Sequence, residues 1–151
     1  MSNANPTTTR RAPAIQRFAL GLIVRLYRLT NGAIGGRMGQ QPVLLLTTTG
    51  RKSGRPHTVP ISYFMDGETR FIVASNGGAD RNPAWYLNLT AHPQVEMQAK
   101  GERSSATATP ATPDERARLW AQVIAAAPNY ARYQHNTQRE IPIILLRRAA
   151  Q

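Results

Sequence analysis

The chain has 151 residues, 41% hydrophobic and 18% charged, enough for one domain around one core. It contains no cysteine, which excludes a disulfide framework, thiolate-bound zinc, iron–sulfur clusters and a cysteine nucleophile, so any redox chemistry needs a bound organic cofactor. Nineteen basic residues against eight acidic ones give +11 and point to an anionic partner: nucleic acid, an acidic membrane surface or a phosphorylated ligand.

Residues 1–13, with Pro6, Thr7 to Thr9 and Pro13, are polar and unpatterned and read as a disordered tail. Segment 14–41 is a basic helix followed by a Gly-rich linker. From Ala14 to Leu29 the apolar residues Ile15, Phe18, Ala19, Leu22, Leu26 and Leu29 recur at steps of three and four, with Arg17, Arg25 and Arg28 between them. Phe18 to Val24 is far short of the ~20 apolar residues that span a bilayer. Arg17 and Arg25 also interrupt the segment as a secretory signal, and no small-residue cleavage site follows. The helix either packs on its own domain or a second copy, or lies on an anionic membrane.

Residues 42–148 read as the main domain. Pro42 to Thr48 is a buried strand, Gly50-Arg-Lys-Ser-Gly54 a turn, and Thr58 to Met65 the return strand. Asp66-Gly67 turns the chain into a strand from Arg70 to Ser75. A short helix starts at Asn82-Pro83 and stops at His92-Pro93. Strands follow at Val95 to Ala99 and Ser104 to Thr109. Thr112-Pro113-Asp114-Glu115 combines an N-cap with an N3 carboxylate and opens a helix over Asp114 to Ala126. After Pro128, Tyr130 to Gln134 leads to a last strand, Ile141 to Leu146. This order predicts an α+β domain, a closed or nearly closed antiparallel barrel with flanking helices.

Four stretches carry candidate chemistry. Thr47 to Arg55 places three hydroxyls before a turn holding Arg51, Lys52 and Arg55. Glycine exposes backbone N–H groups and the cations neutralise charge, which suits a phosphate; a solvated hairpin tip reads equally well. It joins two strands, so it is not a nucleotide-binding P-loop. Ala74-Ser75-Asn76-Gly77-Gly78 lets a flat ligand approach backbone, or is a plain loop. In Asn82 to Asn88, Trp85 and Tyr86 either stack on a ring or belong to the core. Tyr130 and Tyr133 share a helical face and line a pocket, donate a proton, or simply pack. No helix-turn-helix, zinc finger or aromatic RNA platform accompanies the charge, which argues against nucleic acid.

In this order and spacing, Leu45-Leu-Thr-Thr-Thr-Gly-Arg-Lys-Ser-Gly54, Ser75-Asn-Gly-Gly78 and Asn82-Pro-Ala-Trp-Tyr-Leu-Asn-Leu-Thr-Ala-His-Pro93 resemble the deazaflavin-dependent nitroreductase and quinone reductase family. The resemblance runs from about Pro42 to Leu146. It implies a six-stranded split β-barrel of the pyridoxamine-oxidase-like kind and a hydride transfer from reduced coenzyme F420, an 8-hydroxy-5-deazaflavin, to a quinone-like or nitroaromatic acceptor. FMN is the alternative cofactor, and a non-catalytic deazaflavin or flavin carrier the alternative function. By position, phosphate and acidic-tail contacts are implied at Arg51, Lys52 and Ser53, supported by Thr49 and Gly54, with His57 where a third basic residue stands in the family. The ring is implied against Pro60, Ile61, Val73 and Ala74, beside Asn76, with Trp85 and Asn88 closing one side. Ser75, Tyr130 and Tyr133 are implied at the acceptor, and Ala127 stands where a third tyrosine is found in nitroimidazole reducers. The resemblance further implies a cytoplasmic monomer or homodimer, with the basic helix giving a route to the inner face of the cell membrane.

Overall fold

A computed structural model describes residues 14–148 of the chain. The segment expected to be a disordered tail, 1–13, lies outside the described residues.

The first element is α1 (Ala14–Thr30). A two-residue strand β1 (Arg37–Met38), which hydrophobic patterning does not show, pairs with the start of β2 (Gln41–Thr49). Along β2, alternation sorts side chains to two faces, and both faces are covered. Val43 and Leu45 lie under α1 with Val24 and Tyr27, while Leu44 and Leu46 enter the interior cluster with Ile72, Met97, Ala106 and Ile144.

The turn at Gly50 returns the chain into β3 (Pro56–Ser62), paired antiparallel with β2 from Val43↔Ser62 to Thr49↔Pro56. The continuous return strand expected over Thr58 to Met65 is broken at Tyr63. Beyond it, β4 (Phe64–Asp66) pairs not with β2 but with β5 (Thr69–Val73). Tyr63 N–H donates to Pro42 O at 3.0 Å, so at this residue the chain crosses from one sheet edge to the other. Alternation does not register the crossing, because Ser62, Tyr63 and Phe64 keep alternating faces through it.

Residues Asn76–Gly78 form a single 3-10 turn, followed by α2 (Ala84–Ala91), entered through an extended Pro83 and closed at His92. Then come β6 (Gln94–Ala99), β7 (Glu102–Pro110), α3 (Pro113–Ala126), α4 (Asn129–His135) and β8 (Ile143–Arg148). The capping box forms: Glu115 N–H donates to Thr112 Oγ1 and Thr112 N–H donates to Glu115 Oε1. The hydrogen-bonded path runs β1-β2-β6-β7-β8-β5-β4, with β3 on β2, giving eight strands where the sequence suggests six. The difference is the short β1 and the division of the return strand. The final strand starts at Ile143 rather than Ile141. Ile143 and Leu145 pack toward α3 with Phe71, Leu119 and Val123, and Ile144 and Leu146 face the barrel interior.

The packed face of α1 is not the stripe read from the sequence. Val24 and Tyr27 are buried, whereas Ile15, Phe18 and Leu29 are 82%, 77% and 81% exposed. Tyr27 reaches inward because its ring fills the space over Val43 and Leu45 while its hydroxyl finds backbone partners. It accepts from Lys100 N–H at 2.7 Å and lies 2.8 Å from Val43 O, to which it donates. Burial pushes its phenol pKa up, so the neutral form is the folded form.

Tyr27→Phe keeps the ring and strips three segments of a shared partner. Urea unfolding should show a loss of about 1–3 kcal/mol with an unchanged m-value, since the part-buried Lys100 N–H loses its acceptor and the Val43 carbonyl its donor. In the wild type, stability should hold below the phenol's ordinary titration range and fall as pH rises through the raised folded-state value, because the unfolded chain ionises first. The Phe variant should lose that alkaline sensitivity.

Candidate functional site

At the far end of β2, Gly50 N–H donates to Arg55 O at 2.8 Å and Gly54 N–H to Gly50 O at 2.9 Å, closing a small loop that holds Arg51, Lys52 and Ser53 out in solvent. Ser53 Oγ accepts from Arg55 N–H. A Cβ on Gly50 would stand 2.8 Å from His57 Nε2, so His57 and the loop are in contact only because residue 50 has no side chain. Among the described residues, no carboxylate lies within 4 Å of Arg51, Lys52 or Arg55. Three cations are thus held together without an internal counter-charge.

The loop's position is set from α2. Asn88, buried, accepts from Arg51 N–H at 3.2 Å and from Arg51 Nη1 at 3.0 Å, and donates through Nδ2 to Thr48 Oγ1. Its amide is therefore engaged with protein atoms, and Asn88 acts on the loop through Arg51. Thr49 precedes the loop at the end of the strand.

Along β3 and α2, Val59, Ile61, Tyr63, Trp85 and Tyr86 sit half-buried at the margin of the interior cluster, with Pro60 also half-buried beside them in the strand. Trp85 therefore belongs partly to the core and partly to the surface. Val73 and Ala74 are buried. Ala74 spends both backbone groups internally: its N–H donates to Pro142 O, and its carbonyl accepts from Arg139. Ser75 is half-buried at the head of the turn, and Asn76 donates to Arg81 O.

At the opposite end of β2 lies a cavity of about 540 Å3, lined chiefly by Met38, Gln41, Ser62, Ala127, Tyr130 and Tyr133. That volume is within the range of small-molecule sites. Phe64 meets Tyr130 edge-on at 5.7 Å, and Tyr130 meets Tyr133 likewise at 5.3 Å. Tyr133 Oη accepts from Asn129 Nδ2 at 3.2 Å. Burial, and next the neighbouring Tyr133, push the Tyr130 phenol pKa up, while a hydrogen bond from Ser62 pulls the other way. Tyr130 is thus a phenol that stays protonated, inside a cavity, next to a second hydroxyl.

The two tyrosines are brought together, and so are Arg51, Lys52, Ser53, Gly54 and His57; the two groups stand at opposite ends of β2. Ser62, Met38 and Gln41 are cavity residues that sequence reasoning missed. The signal available for Ser62 was weak: a lone hydroxyl before an aromatic in an apolar run. Arg139 was also missed, one arginine among many, yet its guanidinium holds the loop that carries Ser75.

The profile of the family described as F420H(2)-dependent quinone reductase matches residues 20–148. The chain is 46% identical over 128 residues to the F420H(2)-dependent quinone reductase Rv1261c of Mycobacterium tuberculosis, covering 82% of this chain and 85% of that one. A solved F420-H2 dependent reductase, FDR-A, superposes with a TM-score of 0.64 at 37% identity, over 70% of this chain and 93% of its own. A pyridoxamine 5'-phosphate oxidase-like structure from Listeria innocua shares the fold alone, with a TM-score of 0.51 at 13% identity over 85% and 94% of the two chains. The chain belongs to the F420H(2)-dependent quinone reductase family and is an oxidoreductase that works with coenzyme F420.

Proposed function

We propose that this enzyme passes a hydride from reduced coenzyme F420 to a quinone seated in the cavity between β1 and α4. One observation carries the reading. A loop of uncompensated cations and a partly covered, tyrosine-lined cavity stand at the two ends of the same strand, β2. A carrier would need the loop but not the cavity, and the same loop would accept the phosphate of FMN, the alternative cofactor.

When bound, reduced coenzyme F420 supplies a hydride from carbon 5 of its ring. Arg51 and Lys52, with the Ser53 hydroxyl, would hold the phosphate and the acidic tail, Thr49 and Gly54 framing the loop and His57 extending that surface. Pro60, Ile61 and Trp85 offer apolar surface to a flat ring, while Val73 and Ala74 shape the floor from beneath. A quinone that receives a hydride needs one proton to become a quinol. Tyr130, kept protonated by burial, supplies it at the cavity wall, and Tyr133 and Ser62 are the further hydroxyls lining that cavity, while Ser75 stands outside its lining. Ala127 leaves more room than an aromatic would, which favours a broad quinone over a small nitroaromatic.

A second reading concerns α1. Phe18 and Leu22 project from a helix that also carries Arg17, Arg25 and Arg28, and no helix among the described residues is long and apolar enough to cross a membrane. A peripheral seat on the anionic inner face of the cell membrane would bury those apolar groups and bring the cavity to lipid-borne quinones. Pairing with a second copy would bury them as well.

Three outcomes are expected. Lys52→Ala should weaken binding of oxidised F420 in a fluorescence titration by about 1.5–3 kcal/mol at low salt and by less at high salt, where the lost charge is already screened, with FMN titrated beside it; an unchanged constant removes the loop from the site. Tyr130→Phe should lower the maximal rate of quinone reduction about tenfold or more, with cofactor affinity unchanged, and menadione should be turned over faster than a nitroimidazole. Equal rates for wild type and Tyr130→Phe in stopped flow would hand proton delivery to Tyr133, Ser62 or water. Phe18→Glu should reduce sedimentation with acidic vesicles; if wild type never sediments with them and runs as a dimer, the stripe is an interface between copies.

A further inference from the structure

Arg139 lies between α4 and β8, outside every motif that identifies the family, and spends its whole guanidinium on one loop. Nε donates to Ala79 O at 2.9 Å. Nη1 donates to Ala74 O at 3.2 Å and to Asn82 Oδ1 at 2.9 Å, and Nη2 to Ala74 O at 3.2 Å and Ser75 O at 2.9 Å. Four acceptors spread over residues 74 to 82 are gathered by one planar group.

A Thr137 bond and a close backbone approach at Gly78 also tie the same loop to α4 and the stretch that follows it. Thr137 Oγ1 donates to Asp80 Oδ1 at 2.9 Å, and Arg139 N–H donates to Thr137 Oγ1 at 3.3 Å. Gly78, at φ +84°, lies so close to α4 that a Cβ there would stand 2.8 Å from Tyr133 O and 2.9 Å from Tyr133 Cα. The backbone of a cavity tyrosine therefore rests directly on the loop that Arg139 holds.

We infer that Arg139 is a positioning residue: it locks the Ser75–Gly78 turn against α4, so that the turn holds the backbone of Tyr133, and with it the tyrosine wall of the acceptor cavity, in a fixed place. The guanidinium suits this role because it stays charged and its rigid fork reaches several carbonyls at once. A lysine is a point donor and cannot span them. The inference rests on the reductase reading, since the geometry held is the one hydride and proton delivery require.

The test uses the full chain and Arg139→Lys, with Arg118→Lys as a comparison in which an equally forked contact, to Asp66, is lost at the surface. In Arg139→Lys, kcat with menadione should fall about tenfold or more while the dissociation constant for oxidised F420 stays within about threefold of wild type. Amide exchange of residues 75 to 79, measured without cofactor, should accelerate. Arg118→Lys should change none of the three. Unaltered exchange overturns the inference, as does faster exchange with an unaltered kcat, which would make the clamp a matter of stability alone. If Arg139→Lys does not fold, Asn82→Ala removes one acceptor and must give the same division between kcat and affinity at smaller amplitude; no effect on kcat again overturns it. A wild type that fails to oxidise the reduced cofactor would sink the reductase reading, and the exchange measurement would still decide whether Arg139 holds the loop.

Discussion

At Tyr63 the chain leaves β3, which hydrogen-bonds to β2, and enters β4, which bonds to β5 at the other end of the ladder. The two edges of a long curled sheet are thus joined by covalent backbone where a closed barrel would use hydrogen bonds. The constraint fixes which groups can meet. Tyr63 turns inward onto the interior cluster, and its neighbours turn the other way: Ser62 into the cavity and Phe64 onto Phe71 and Tyr130. The cavity forms at the seam because there the sheet has no strand beside it to fill the space, and α4 and β1 cover it only partly.

Packing alone would leave the segments around this seam free to slide, since apolar contact is non-directional. Three polar side chains remove that freedom. Tyr27 ties α1 to β2 and to the β6–β7 turn, Asn88 ties α2 to the cationic loop, and Arg139 ties the stretch after α4 to the 74–82 loop. Each makes several bonds in a partly or wholly buried setting, where leaving one partner unmatched costs about 1–3 kcal/mol. Surface pairs such as Arg118 with Asp66 are worth at most about 1 kcal/mol and fix little.

The charge balance of +11 divides into parts with different physical roles. Arg116, Arg118, Arg147 and Arg148 stand opposite carboxylates. Arg139 is consumed by carbonyls and an amide. Arg51, Lys52 and Arg55 have no carboxylate beside them among the described residues, and their mutual repulsion is tolerated because water screens an exposed loop. The cofactor phosphate proposed to bind there would relieve that repulsion through the side-chain cations, since the N–H groups of Gly50, Arg51, Gly54 and Arg55 are already spent within the protein. Arg17, Arg25 and Arg28 line a helix on which Ile15, Phe18, Leu22 and Leu29 also face outward, so their charge lies beside exposed apolar surface.

Much of this molecule was legible from sequence because local rules decide it. The Thr112 cap and its Glu115 partner, the Asp66-Gly67 turn, the entry at Pro83 and the two-sided apolar run of β2 depend on neighbours a few residues away, and so does the cationic loop between two glycines. The family motifs are local for the same reason. What only the tertiary structure decided are contacts between distant segments. The break at Tyr63 was invisible because period-two alternation is indifferent to which edge a strand joins. The buried face of α1 was misread because Tyr27, amphipathic and flanked by arginines, is drawn in by a carbonyl acceptor on β2 and an N–H donor on the β6–β7 turn, 16 and 73 residues away. Arg139 and Ser62 carry no local signature at all: an arginine and a serine acquire their roles from carbonyls and a phenol that the fold delivers to them, and three-dimensional proximity of that kind has no period to read.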